Sequence, residues 1–141
     1  MNKKELDDLL KNNVIVIYDG ICGFCNKTIQ IILNNRPSKK LKFVSFQSKT
    51  GKQILKKLNI KENMESIMII ENSTFLIKAN AVFILLKYIK SPLKNLYYFK
   101  LVPSIITNFV YDIIAKNRYS LLGKGNMCRV LTNEEKDFFL D

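Results

Sequence analysis

Hydrophobic and polar positions alternate in recognisable blocks along the chain. Residues 14–18 (VIVIY) form a short, β-branched, continuously apolar run, the pattern of a strand buried on both faces. Asp19 and Gly20 end it. Cys25, Ile29, Ile32 and Leu33 then follow at i, i+4, i+7 and i+8, one face of a helix, which Pro37 stops. Residues 41–46 (LKFVSF) alternate and predict a second strand. Residues 50–59 predict a second helix, with Ile54, Leu55 and Leu58 inward and Lys52, Lys56 and Lys57 outward. Residues 66–70 and 74–78 predict two further strands joined at Glu71-Asn72-Ser73, an antiparallel hairpin.

From residue 81 to 89 the chain is apolar nearly all round, with Asn80 as the expected cap and Pro92 just beyond the end. An aromatic-rich stretch (NLYYFKLV) follows, with core packing the expectation for Tyr97, Tyr98 and Phe99. Pro103 opens a helix expected to run to about Lys116. Near the end, Thr132 and Glu135 match a capping box and predict a short last helix. The expected order is β-α-β-α-β-β-α, a four-stranded mixed sheet in the thioredoxin-like order. The core should span about 13–90 and a helical C-terminal extension about 91–141, the two forming one domain. No repeat or low-complexity segment interrupts it.

Composition narrows the chemistry. The chain of 141 residues has no histidine, which removes Ser-His-Asp and Cys-His schemes and histidine metal ligands. Three cysteines are too few for a disulfide framework. The segment 1–13 (MNKKELDDLLKNN) lacks the apolar core of a secretory signal. No run of apolar residues is long enough to span a bilayer, so a cytoplasmic location is the expectation. The formal net charge of +11 favours anionic partners without defining a site. Lysines crowd residues 39–61, and Lys49, Lys52 and Lys56 share one helix face. Without interleaved aromatics they predict a solvated surface rather than specific nucleic-acid binding.

The informative segment is Tyr18-Asp19-Gly20-Ile21-Cys22-Gly23-Phe24-Cys25: a strand, a tight turn, then C-x-x-C opening a helix. Two cysteines three apart in a first helical turn lie within disulfide reach. Cys22, nearer the helix N-terminus, is the expected attacking thiol, because free N–H groups and the macrodipole favour its thiolate. Cys25, on the core-facing stripe, is the expected resolving thiol. Gly20 suits a turn needing positive φ or a close backbone approach. Gly23 leaves the site open, and Tyr18, Gly23, Phe24 and Ser66 are the expected substrate-side residues. Asp19 is assigned to the catalytic group, as a proton acceptor through water or as a cap that shapes the site. Cys128, after a glycine-rich loop, is expected to be a buried thiol, with a third redox thiol as the alternative. Arg118 and Arg129 are candidates to face a thiolate or a substrate carboxylate.

Asp19, Cys22 and Cys25 after a hydrophobic strand resemble the signature of the DCC family (DUF393) of thiol-disulfide oxidoreductases. Asn117-Arg118-Tyr119, Gly123, Cys128-Arg129-Val130 and the Thr-x-x-Glu helix start are similar to that family's C-terminal block. The resemblance implies a thioredoxin-like fold and thiol–disulfide exchange. Redox-active thioredoxins more broadly place a cis-proline before the third strand; the corresponding stretch here, Met64-Glu65-Ser66-Ile67, has none. The expected partners are a protein or small-molecule disulfide or thiol and an external reductant, with no resident cofactor or metal. Two other classes compete: a non-catalytic interaction domain using the basic surface, and a metal or iron–sulfur carrier using the cysteines.

Overall fold

A computed structural model describes residues 3–21, 23–35, 37–60, 67–72, 74–117 and 132–140. Strands β1 (Val14–Tyr18), β2 (Leu41–Ser45), β3 (Met68–Glu71) and β4 (Thr74–Ile77) form one sheet in the order β2-β1-β3-β4. β1 and β2 run parallel, with Val14 opposite Leu41 and Tyr18 opposite Ser45. β3 is antiparallel to both β1 and β4. The helices are α1 (Lys3–Asn12), α2 (Gly23–Asn34), α3 (Lys49–Lys57), α4 (Lys78–Lys87), a 3₁₀ helix (Pro92–Leu101), α5 (Ser104–Lys116) and α6 (Asn133–Lys136). A parallel crossover pair followed by a hairpin and a helix is the thioredoxin-like arrangement expected from the sequence.

The uninterrupted apolar run of β1 has a direct consequence. Side chains alternate across a strand, so each face of β1 needs its own cover. Val14 and Val16 join Phe43 and Ile69 under α2 and α4, through Ile29, Ile32, Ile84 and Leu85. Ile15 and Ile17 join Val44 and Ile70 on the other face, under Ile54 and Leu55 of α3 and Leu6 and Leu10 of α1. Each such fully buried aliphatic side chain contributes about 1.5–3 kcal/mol, so the two clusters carry most of the fold.

Several boundaries differ from expectation for identifiable reasons. α1 was not anticipated, although Leu6, Leu9 and Leu10 show helical spacing; its leucines close the α3 side of the sheet. α3 starts earlier than expected because Ser48 caps it, its Oγ accepting from the Gly51 N–H at 3.0 Å. Asn59 beyond its end adopts φ 54°. Asn80 does not cap α4. The chain enters that helix directly from β4 through Ile77, with Lys78 in the left-handed region at φ 57°. Tyr98 and Phe99 do not pack in the core either. The 3₁₀ helix buries none of its residues, and Tyr97 alone of the three packs against a core cluster.

The end of the chain is more than a helix. The capping box forms as expected, with the Glu135 N–H donating to Thr132 Oγ1 and the Thr132 N–H to Glu135 Oε2. The residues after α6 then pair with β2: the Phe43 N–H donates to the Phe138 carbonyl and the Leu140 N–H to the Phe43 carbonyl. Phe139 stacks near Phe43, ring centroids 5.5 Å apart. This covers a sheet edge that would otherwise expose unpaired N–H and C=O groups.

Candidate functional site

The turn that carries the C-x-x-C motif is held by side chains from three elements. Asp19 follows β1, and its Oδ1 accepts from the Ile21 N–H at 3.0 Å, a local turn of the kind Asp favours. The same oxygen accepts from Gln47 Nε2 at 2.6 Å. Gln47 Oε1 accepts in turn from the Gly20 N–H at 3.1 Å and pairs with the Ser45 hydroxyl. On the other side, Asn26 Nδ2 of α2 donates to the Gly20 carbonyl at 3.1 Å. The backbone of Gly20 is therefore pinned through both its polar groups, by side chains 27 and 6 residues away.

Parallel pairing makes this possible. Tyr18 lies opposite Ser45, and the Phe46 N–H donates to the Tyr18 carbonyl at 3.0 Å. The turn after β2 thus lies beside the turn after β1. Gly20 serves a close approach rather than a positive φ: a Cβ there would lie 3.0 Å from Ser45 Oγ, so that hydroxyl would have to give way slightly.

α2 begins at Gly23 and carries Cys25 on the face with Ile29 and Ile32. Cys25 is 2% exposed, the position expected of an inner thiol on the core-facing stripe. Ile21, just before the motif, is exposed. Tyr18 is half-buried at the end of β1 and packs against the α2–α4 core. Of Gly23 and Phe24 the backbone alone is described, as the opening of α2. Cys22, Ser66, Arg118, Cys128 and Arg129 lie outside the described residues.

The structure links Asp19 and Gly20 to Gln47, Ser45 and Asn26, three residues that sequence reasoning missed. No local pattern marks Gln47. The register of β1 against β2 was the one signal that could have brought it to this turn. Lys49, Lys52 and Lys56 share an exposed face of α3 as expected, whereas Lys57 turns to α1 and pairs with Asp7.

The four-stranded mixed sheet, with its β1-α2-β2 crossover, belongs to the thioredoxin-like class of folds. The chain belongs to the DCC1-like thiol-disulfide oxidoreductase family, whose model matches residues 16–124. It is 33% identical over 129 residues to the uncharacterized protein YuxK of Bacillus subtilis, covering 91% of this chain and 94% of that one. It is 29% identical over 118 residues to a chloroplastic DCC family protein of Arabidopsis thaliana, covering 82% of this chain and 69% of the relative. No solved structure matches it. No described helix is long and apolar enough to cross a membrane.

Proposed function

We propose that the protein exchanges disulfides through Cys22 and Cys25, with protein or small-molecule disulfides as substrates. The observation that carries this reading is the bracing of the turn before Cys22 by Asp19, Gln47 and Asn26, with Cys25 buried on the next helical turn. A structural pair of cysteines has no need of a braced, solvent-edge turn. A nucleophile does, because a small misplacement of the attacking atom costs much of its rate.

In the proposed cycle the Cys22 thiolate attacks one sulfur of a substrate disulfide. The substrate S–S bond breaks, and the departing sulfur leaves as a thiolate that takes a proton from water. The Cys25 thiolate then attacks Cys22 Sγ, releasing the second substrate thiol and closing a Cys22–Cys25 disulfide. The substrate has gained two electrons, and an external thiol reductant returns the dithiol. Asp19 acts by holding the turn and as a proton acceptor through water. Tyr18, Gly23, Phe24 and Ser66 form the substrate side, in a cytoplasmic protein.

Two measurements test this. Intact mass with and without reductant should differ by the two hydrogens of one disulfide, mapped to Cys22–Cys25. Cys25→Ser should accumulate a mixed disulfide on Cys22. Faster native alkylation of Cys25 than of Cys22 would reverse the roles. A mapped bond from Cys128 to either motif cysteine would make Cys128 a resolving thiol.

A further inference from the structure

α5 is built inside out. Its sheltered positions are Thr107, Asn108, Tyr111 and Asp112, while Ile105, Ile106, Phe109, Val110, Ile113 and Ile114 face outward. Ile105 is 83% exposed and Phe109 66%. Asn108 Oδ1 is buried, with no hydrogen-bond partner among the described residues. The preceding 3₁₀ helix extends the same surface, with Tyr98 68% and Leu101 86% exposed. Between these helices and α4 runs an open groove of about 550 Å³, lined by apolar side chains including Phe83, Leu86, Phe99 and Val110. A helix in water turns its polar stripe outward, and an apolar patch this continuous marks a surface that meets something other than water.

Charge selects the occupant. From residue 72 to 133 the chain carries nine Lys or Arg and a single acidic residue, Asp112. Asp112 is engaged by Lys78 at 2.9 Å. Lys94, Lys100 and Lys116 on these two helices are exposed. A second copy of the chain would bring surroundings of the same sign against this face. A surface that is both apolar and anionic meets both features: apolar side chains enter the acyl boundary while lysine stems reach up to the head groups. α5 has 13 residues, roughly 20 Å of helix against the roughly 30 Å of a bilayer core, so it suits lying along an interface rather than crossing it.

We propose that the face formed by the 3₁₀ helix and α5 seats the protein on an anionic lipid surface, with α5 lying in the plane of the interface. The proposal is independent of the thiol chemistry.

The test is co-sedimentation of the full chain with vesicles of phosphatidylcholine alone or mixed with phosphatidylglycerol. Binding is expected with the anionic vesicles and should weaken as salt rises. The double variant Ile105→Ser, Phe109→Ser should lower partitioning about tenfold or more. The triple variant Lys94→Gln, Lys100→Gln, Lys116→Gln should lower it on the order of fivefold per lysine. All five side chains are exposed, so circular dichroism should show both variants folded. Absence of binding, or equal binding to neutral vesicles, overturns the proposal. So does a dimer in ultracentrifugation that Phe109→Ser dissociates while vesicles bind neither form; that result assigns the face to a second copy.

Discussion

α3 and α5 apply the same periodicity in opposite senses. α3 buries Ile54 and Leu55 beneath the sheet and presents Lys49, Lys52 and Lys56 to water. α5 shelters Asn108 and Asp112 and presents isoleucines and a phenylalanine. Periodicity reveals that a helix has two faces. It does not reveal which medium each face meets, because that depends on whether the apolar stripe finds a cover within the chain. The sheet covers α3. Among the described residues nothing covers the outer face of α5.

The sharpest way to break this contrast is to cut one aromatic from each region. Phe43 is fully buried between β1, the core and Phe139. Phe43→Ala should cost about 3–5 kcal/mol, the transfer and cavity terms together. Phe109→Ala should change stability by no more than about 0.5 kcal/mol. Urea midpoints at constant m-value measure both. A cost at Phe109 approaching that at Phe43 would show that α5 has a buried outer face in solution.

A smaller effect separates the two helices at the backbone. α3 packs so closely on the end of β2 that a Cβ on Gly51 would lie 2.1 Å from the Ser45 carbonyl oxygen. Ordinarily Gly→Ala inside a helix stabilises by up to about 1 kcal/mol. Here the added methyl meets backbone that cannot swing aside, so Gly51→Ala should destabilise by about 1–3 kcal/mol. A neutral or stabilising result would mean that α3 shifts freely on the sheet, and the tight inner packing claimed for it would fail.

Next in size is Gln47, which belongs to the well-covered region yet serves the site. Gln47→Ala removes the side-chain donor to Asp19, which keeps the Ile21 N–H, and the acceptor of the Gly20 N–H. The expected cost in stability is about 1–2 kcal/mol. Exchange with a small neutral disulfide should slow by about tenfold or more, because the turn before Cys22 loses its brace. Gln47→Glu keeps the acceptor for Gly20 but sets a carboxylate against Asp19, so it should not restore the rate. A rate unchanged in Gln47→Ala would leave Gln47 a purely structural residue.

These experiments bear on what a single chain discloses. The strands, α2, α3, the closing capping box and the motif turn were legible because each is fixed by nearby residues: a β-branched run, a 3.6-residue stripe, Thr132 with Glu135, Asp19 before C-x-x-C. Features fixed by distant partners were not. Gln47 reaches Asp19 through strand register, and the tail beyond α6 finds β2 through a pairing 95 residues apart at Lys42 and Asp137. α1 belongs with these: ten mostly polar residues make a marginal helix alone, and the sheet that covers Leu6 and Leu10 is what holds it. The exposure of Tyr98 and Phe99 went unforeseen because aromatic content alone predicts burial.

The smallest effect lies at the seam between the two regions. Tyr88 ends α4, and its carbonyl accepts from the Ser38 N–H at 2.8 Å. Its hydroxyl donates to Glu71 at the end of β3, and Lys87 Nζ stands 4.0 Å from the same carboxylate. Burial of the phenol, then its hydrogen bond to Glu71 and the negative charge there, pushes its pKa up from 10.0 to about 12. The folded state therefore keeps a proton that the unfolded chain gives up. This contribution is complete below pH 10 and is lost as pH rises through about 12, since stability falls wherever the folded state holds more protons. Tyr88→Phe should cost less than about 1 kcal/mol near neutrality, because the pair is partly exposed. The informative quantity is the difference in stability between parent and variant. That difference should shrink as pH climbs from 10 towards 12. A gap that stays constant across the window would mean that the Tyr88 hydroxyl does not feel Glu71 in solution, and that α4 is joined to the sheet through its apolar side chains instead.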